Sequence, residues 1–147
     1  MSWSKLPREV ARADLLGFGY LGTLRRDGRP RLGPVETHVW EGRLLIGVMT
    51  RSLRARDLDR DPRCTLHSVV AELDSGEPEL KLYCTAVAAE LEPPGAWWKG
   101  RPACDARVYE LGIDEASLVE WDLAGAKMTV TNWSPARGLR TARRPYP

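Results

Sequence analysis

The sequence predicts a mainly β domain: an antiparallel barrel, closed or nearly closed, of six or seven short strands with one or two small helices. Three observations carry this. Short runs of alternating apolar and polar residues recur at a spacing of roughly 8–14 residues, divided by turn signals, which is the pattern of barrels and sandwiches. Thirteen glycines and eleven prolines in 147 residues favour many turns over long helices. No βαβαβ rhythm and no GxGxxG is present, which argues against a doubly wound dinucleotide-binding fold.

The elements follow in order. Pro7 to Leu16 reads as a short amphipathic helix, with Pro7 suited to a first turn and Gly17 to an end. Gly19 to Arg25 alternates as a strand, and Arg26-Asp27-Gly28 is a hairpin signal. Arg31 to Val39 is a second strand, Trp40-Glu41-Gly42-Arg43 a turn, and Leu44 to Met49 a short buried strand. A charged helix interrupts this meander. Strands resume at Cys64 to Leu73 and Glu79 to Leu91, with a turn over Asp74 to Pro78. Pro93-Pro94-Gly95 breaks the chain, and Ala96 to Ala106, with Trp97 and Trp98, reads as irregular or a short helix. Ala116 to Leu123 and Lys127 to Trp133 are the last two strands, joined by a turn over Asp122 to Ala126. Residues 1–134 make one domain; residues 135–147, with four arginines and no acid, read as a basic, loosely ordered tail.

Composition narrows the function classes. An apolar fraction of 43% and a charged fraction of 29% describe an ordinary globular domain, not a disordered or fibrous chain. A net charge of +2 is too small to imply a polyanionic partner by itself, and the basic tail lacks interleaved aromatics, so nucleic acid is not an expected partner. Glu9 and Asp14 fall where a signal peptide needs apolar residues, and the longest apolar run, Leu44 to Met49, is far below the roughly 20 residues of a membrane span. Cys64, Cys84 and Cys104 form no CxxC pair and read as reduced thiols in a cytoplasmic protein. His38 and His67 lack ligand spacing to any cysteine, so no metal site is expected. Each histidine, alone on a strand, reads as a structural residue, and neither Ser52 nor Ser68 sits in a nucleophile elbow.

The most informative stretch is residues 50–63, TRSLRARDLDRDPR, with five arginines and three aspartates in fourteen residues. Thr50 or Ser52 is a suitable N-cap, and Arg51 and Arg54, at i and i+3, share a face near the helix start. Cations there oppose the helix dipole by about 0.3–1 kcal/mol, so a bound anion explains them better than helix stability does. The back half, Asp57 to Arg63, reads as a solvated, self-paired helix end.

Five short pieces now align with one pattern: Asp27-Gly28-Arg29-Pro30, Pro34-Val35, Gly42-Arg43-Leu44, Ser52-Leu53-Arg54 and Asp61-Pro62-Arg63. In order and spacing they resemble the pyridoxamine 5′-phosphate oxidase-like family of FMN-binding split barrels. The resemblance runs from Gly19 to about Leu91; beyond it only strand order and the Trp133-Ser134-Pro135 ending agree. It implies a split β-barrel, a homodimer with FMN at its interface, and flavin-dependent oxidoreductase activity on a small organic substrate. Some relatives use the deazaflavin coenzyme or haem instead. By the same resemblance Arg31, Ser52 and Arg54 hold the flavin phosphate within a segment opening at Thr50. Pro34, Val35, Glu36 and Thr37 lie along the ring, and Lys81 stands near it. No residue is marked as a general acid or base. Trp97 and Trp98 read as packing residues, with flavin cover or a dimer seam as alternatives, and Trp133 as core or interface.

Three positions depart from the family pattern: Leu53 replaces a basic residue, Arg54 replaces the lysine that ends the same motif, and Glu36 stands where the oxidases carry a lysine. Glu36 favours a barrel that binds flavin or haem without turnover, or none. The extra arginines would suit a deazaflavin reductase, whose coenzyme carries a phosphate and an acidic tail.

Overall fold

A computed structural model describes residues 1–72, 74–91 and 106–147. Its strands are β1 (Phe18–Leu24), β2 (Pro30–Trp40), β3 (Arg43–Met49), β4 (Arg63–Ser68), β5 (Glu79–Ala88), β6 (Ala106–Asp122), β7 (Lys127–Ser134) and β8 (Gly138–Pro145); the helix α1 (Leu53–Arg60) joins β3 to β4. All pairings are antiparallel, in the order β3-β2-β1-β4-β5-β6-β7-β8. A further pairing of β3 with β6 closes the first six strands of that order into a barrel. β7 and β8 extend the sheet past it.

The closure depends on β6, a strand of seventeen residues with two sets of neighbours. Its first five residues pair with β3 and its last seven with β7. Between them the register against β5 slips, so that Tyr83 opposes Glu115 and Cys84 opposes Ile113, leaving Asp114 as a bulge. A one-residue bulge inverts the inward–outward phase of a strand. Accordingly Tyr109, Leu111 and Ile113 are buried before it, and Ala116 and Leu118 after it.

The core is the inner face of the barrel, typified by Leu21, Ile46, Leu66, Leu82 and Leu111, none of them solvent-exposed. Trp3, Leu6 and Val10 from the N-terminal segment join the same cluster. Cys64 and Cys84 face each other across β4 and β5 as buried free thiols, and burial pushes the Cys64 thiol up to about 12.

Three sequence expectations change. The segment Pro7 to Leu16 is not an α-helix: the amides of Val10 and Ala11 both donate to Pro7 O, and only Ala13–Leu15 forms a 3₁₀ turn. So short a helix is marginal on its own, and anchoring Val10 in the core prevails. β4 ends at Ser68 and β5 at Ala88, both short of the expected strands. The tail expected to be loosely ordered contains β8, paired in register with β7 from Ser134↔Gly138 to Lys127↔Pro145. The expectations for Trp97, Trp98, Cys104 and the break at Pro93-Pro94-Gly95 lie outside the described residues. No helix among the described residues is long and apolar enough to cross a membrane.

Candidate functional site

The site is built where α1 lies against the β1–β2 hairpin. Ser52 caps the helix, its Oγ accepting from the amide of Ala55 at 3.1 Å. Of the two residues considered for this role, the cap is Ser52; Thr50 is exposed and lies outside the helix. α1 turns Ala55, Asp57 and Leu58 inward. Two of these are apolar. The third is a carboxylate in a buried position, and that demands partners.

Asp57 has them. Its Oδ2 accepts from Thr23 Oγ1 at 2.9 Å and from Arg31 Nε at 2.6 Å, and its Oδ1 accepts from Arg60 Nη2 at 3.2 Å. Arg60 also donates to Leu24 O. Burial alone pushes the Asp57 carboxyl up, but the bonds from Arg31, Thr23 and Arg60 outweigh it and hold the group below its ordinary range. Asp57 is therefore a hub tying α1 to β1 and β2, not part of a solvated helix end. Arg63 and Asp61, by contrast, do form an exposed local pair at 2.6 Å.

Arg54 presents the opposite case. Its Nη1 donates to Pro34 O at 2.9 Å, and its guanidinium lies along β2 over Gly33, where any Cβ would collide with Nη2. Its Nε is buried with no hydrogen-bond partner among the described residues. Burial lowers the pKa of Arg54, and the neighbouring charge of Arg31 lowers it further, only partly offset by Asp57. Two guanidiniums are thus held together at the helix start, one with an unsatisfied donor. An anion supplies what such an arrangement lacks.

The structure sorts the other expected residues. Val35 and Thr37 point into the core, and Thr37 Oγ1 accepts from the amide of Gly17 at 2.9 Å. Only their backbone faces outward. Pro34 and Glu36 lie on the outer face, Glu36 directly across from Phe18. Lys81 is not beside the arginines. It sits three strands away, in a cross-strand row running Pro34–Tyr20–His67–Lys81. Arg51 precedes the cap Ser52 and lies outside α1. Trp133 is buried in the core.

Within that row His67 has a defined tautomer. Its Nδ1 lies 2.6 Å from Ser68 O, and a carbonyl only accepts, so Nδ1 carries the proton and Nε2 is the acceptor of the neutral ring. Around the row the outer face is apolar: Phe18, Tyr20, Leu32 and Tyr83 are exposed by 55%, 43%, 71% and 44%.

No family model matches the chain. Solved structures do resemble it. A haem-binding protein from Mycobacterium smegmatis is 17% identical, with 99% of this chain and 89% of that one covered and a TM-score of 0.61. The fold is a split β-barrel. PhzG from Burkholderia lata, solved with tetrahydrophenazine-1-carboxylic acid, is 13% identical over 97% of this chain and 95% of its own, with a TM-score of 0.66. A pyridoxamine 5′-phosphate oxidase-related, FMN-binding protein from Nostoc punctiforme is 10% identical over 87% of each chain, with a TM-score of 0.60. Structural neighbours of this split barrel thus include both flavin- and haem-binding proteins. At these identities the likeness carries the fold.

Proposed function

We propose that the chain binds FMN and acts, as a homodimer, as a flavin-dependent oxidoreductase on a small organic substrate. The observation that carries this reading is the juxtaposition of Arg31 and Arg54 with the unsatisfied, buried Nε of Arg54. A phosphate accepts from both guanidiniums and from the first-turn amides that Ser52 orients by capping α1. In this reading Arg31 is already fixed through Nε by Asp57, which leaves its terminal nitrogens for the ligand. Pro34 and the backbone of Val35 to Thr37 offer the ring an edge on the outer face. His67 and Lys81, farther along the same row, border its distal side. The neighbours of known ligand class support a prosthetic group on this fold. When bound, FMN supplies the redox chemistry by accepting or giving hydride. The chain's residues hold it, orient it and exclude water. The apolar outer face around Phe18, Tyr20, Leu32 and Tyr83 is suited to a second copy of the chain, which would cover both the ring and these side chains.

The test is the absorbance spectrum of the purified protein, with mass identification of any ligand, followed by FMN titration. Flavin bands and stoichiometric uptake are expected, and Arg54→Ala weakens FMN affinity by about 1.5–3 kcal/mol, the range for a charged hydrogen bond. A Soret band would replace FMN with haem. A colourless protein that takes up no FMN, or an Arg54→Ala variant that binds it like the parent, overturns the assignment.

A further inference from the structure

The barrel interior holds two nucleophilic side chains that the phosphate site does not use. Cys64 on β4 and Cys84 on β5 are both buried and both free. They are register partners, directly opposed across the antiparallel pair, and both point inward. Directly opposed residues of such a pair have Cα atoms about 4.5–5.5 Å apart, inside the range of about 4.4–6.8 Å that a disulfide spans. The backbone therefore already brings the two thiols within bridging distance. The ladder around them is interrupted on both flanks. β1 pairs with β4 only as far as Gly22↔Thr65, one residue short of Cys64. On the other flank the β5–β6 register slips between Tyr83 and Cys84, at the Asp114 bulge. Pro62, just before β4, has no amide to add.

Burial raises the pKa of both thiols, and Cys64 raises that of Cys84 further, so neither ionises readily in the closed barrel. Oxidation therefore goes through local opening, and the interrupted ladder is where β4 and β5 part at least cost. We propose that Cys64 and Cys84 form a redox modification site, closing to a reversible disulfide that locks β4 to β5. With hydrogen peroxide as the oxidant the steps balance. One thiolate attacks peroxide, so that an S–O bond forms and the O–O bond breaks. The departing hydroxide takes up the thiol's proton and leaves as water. The second thiolate attacks the sulfenic sulfur, forming the S–S bond and releasing a second water. Two electrons pass from the thiols to peroxide. β4 and β5 also carry His67 and Lys81 as opposed residues, so the lock fixes the strand pair that presents them.

The test treats the folded full chain with hydrogen peroxide, alkylates the remaining thiols after denaturation and maps the peptides. A Cys64–Cys84 cross-link that dithiothreitol reverses is expected, in at least about tenfold excess over any link to Cys104. The chain supplies its own control, because Cys84 lies 20 residues from Cys64 and 20 from Cys104. Loop closure alone gives Cys84 no preference between them, so the same treatment in strong urea should yield both links in similar amounts. Hydrogen exchange of the Leu66 and Leu82 amides, next along the ladder, should slow about tenfold or more in the bridged form. An excess no larger in the folded protein than in urea overturns the proposal. So do thiols that stay reduced while the barrel is folded, conversion to sulfinic acid without a cross-link, or a bridge that leaves exchange unchanged.

Discussion

Two flanks of one eight-residue helix treat buried charge in opposite ways. On the Asp57 flank the carboxylate meets Thr23, Arg31 and Arg60, three donors from three elements. On the Arg54 flank a cation is desolvated beside another cation, and its Nε has no hydrogen-bond partner among the described residues. A satisfied buried charge fixes geometry and costs the fold little. An unsatisfied one costs the fold and is retained where something outside the chain completes it. The contrast separates the residue that builds the site from the residue that the site is for.

Substitutions can break this contrast, and the largest effect belongs to the satisfied flank. Asp57→Ala strands Arg31 and Thr23 and should destabilise by about 3 kcal/mol in urea unfolding. It should also loosen FMN binding, since Arg31 loses its tether. Asp57 further predicts an acid limb. Its folded-state carboxyl lies below the ordinary value of 3.8, so its contribution is complete above that value and is lost as pH falls through the folded one. Asp57→Asn should flatten that limb in stability measured against pH. Arg54→Ala should do the reverse of Asp57→Ala: its stability stays within about 1 kcal/mol of the parent while FMN affinity falls. Equal stability losses for the two would erase the distinction. Ser52→Ala removes the cap shared by both flanks and should cost about 1 kcal/mol by thermal unfolding. The smallest effect on stability is expected of Gly33→Ala, within about 0.5 kcal/mol, because the clash falls on the far end of the Arg54 side chain and not on backbone. Its FMN affinity should lie between those of the parent and Arg54→Ala.

Local signals were legible and long-range ones were not. The Asp27-Gly28 turn and the Ser52 cap are written in neighbouring residues, and both stand where the sequence places them. The strands from β1 to β3 alternate strongly enough to read directly. The first half of β6 is not legible as a strand, although Tyr109, Leu111 and Ile113 alternate, because the bulge at Asp114 breaks the period before Ala116 resumes it. β8 has no buried residue at all, so its pairing leaves no hydropathy signal. At the site, the sequence reads Asp57 as part of a solvated, self-paired helix end. Only Arg60 among its three partners is local; Arg31 and Thr23 are 26 and 34 residues distant. A carboxylate on the helix face shared with Ala55 and Leu58 was the available clue. The resemblance groups Val35 and Thr37 with Pro34 and Glu36, and strand alternation sends the side chains of the two pairs to opposite faces.

The last strand has a consequence for crowding between molecules. Among the described residues β8 forms the end of the sheet, and an open strand edge is a template onto which another chain can add. Arg140, Arg143, Arg144 and Pro145 occupy half of its eight positions. A second copy approaching that edge would set guanidinium against guanidinium, and the proline offers no amide for the ladder. A segment that adds nothing to the core thus guards the barrel against self-templated growth.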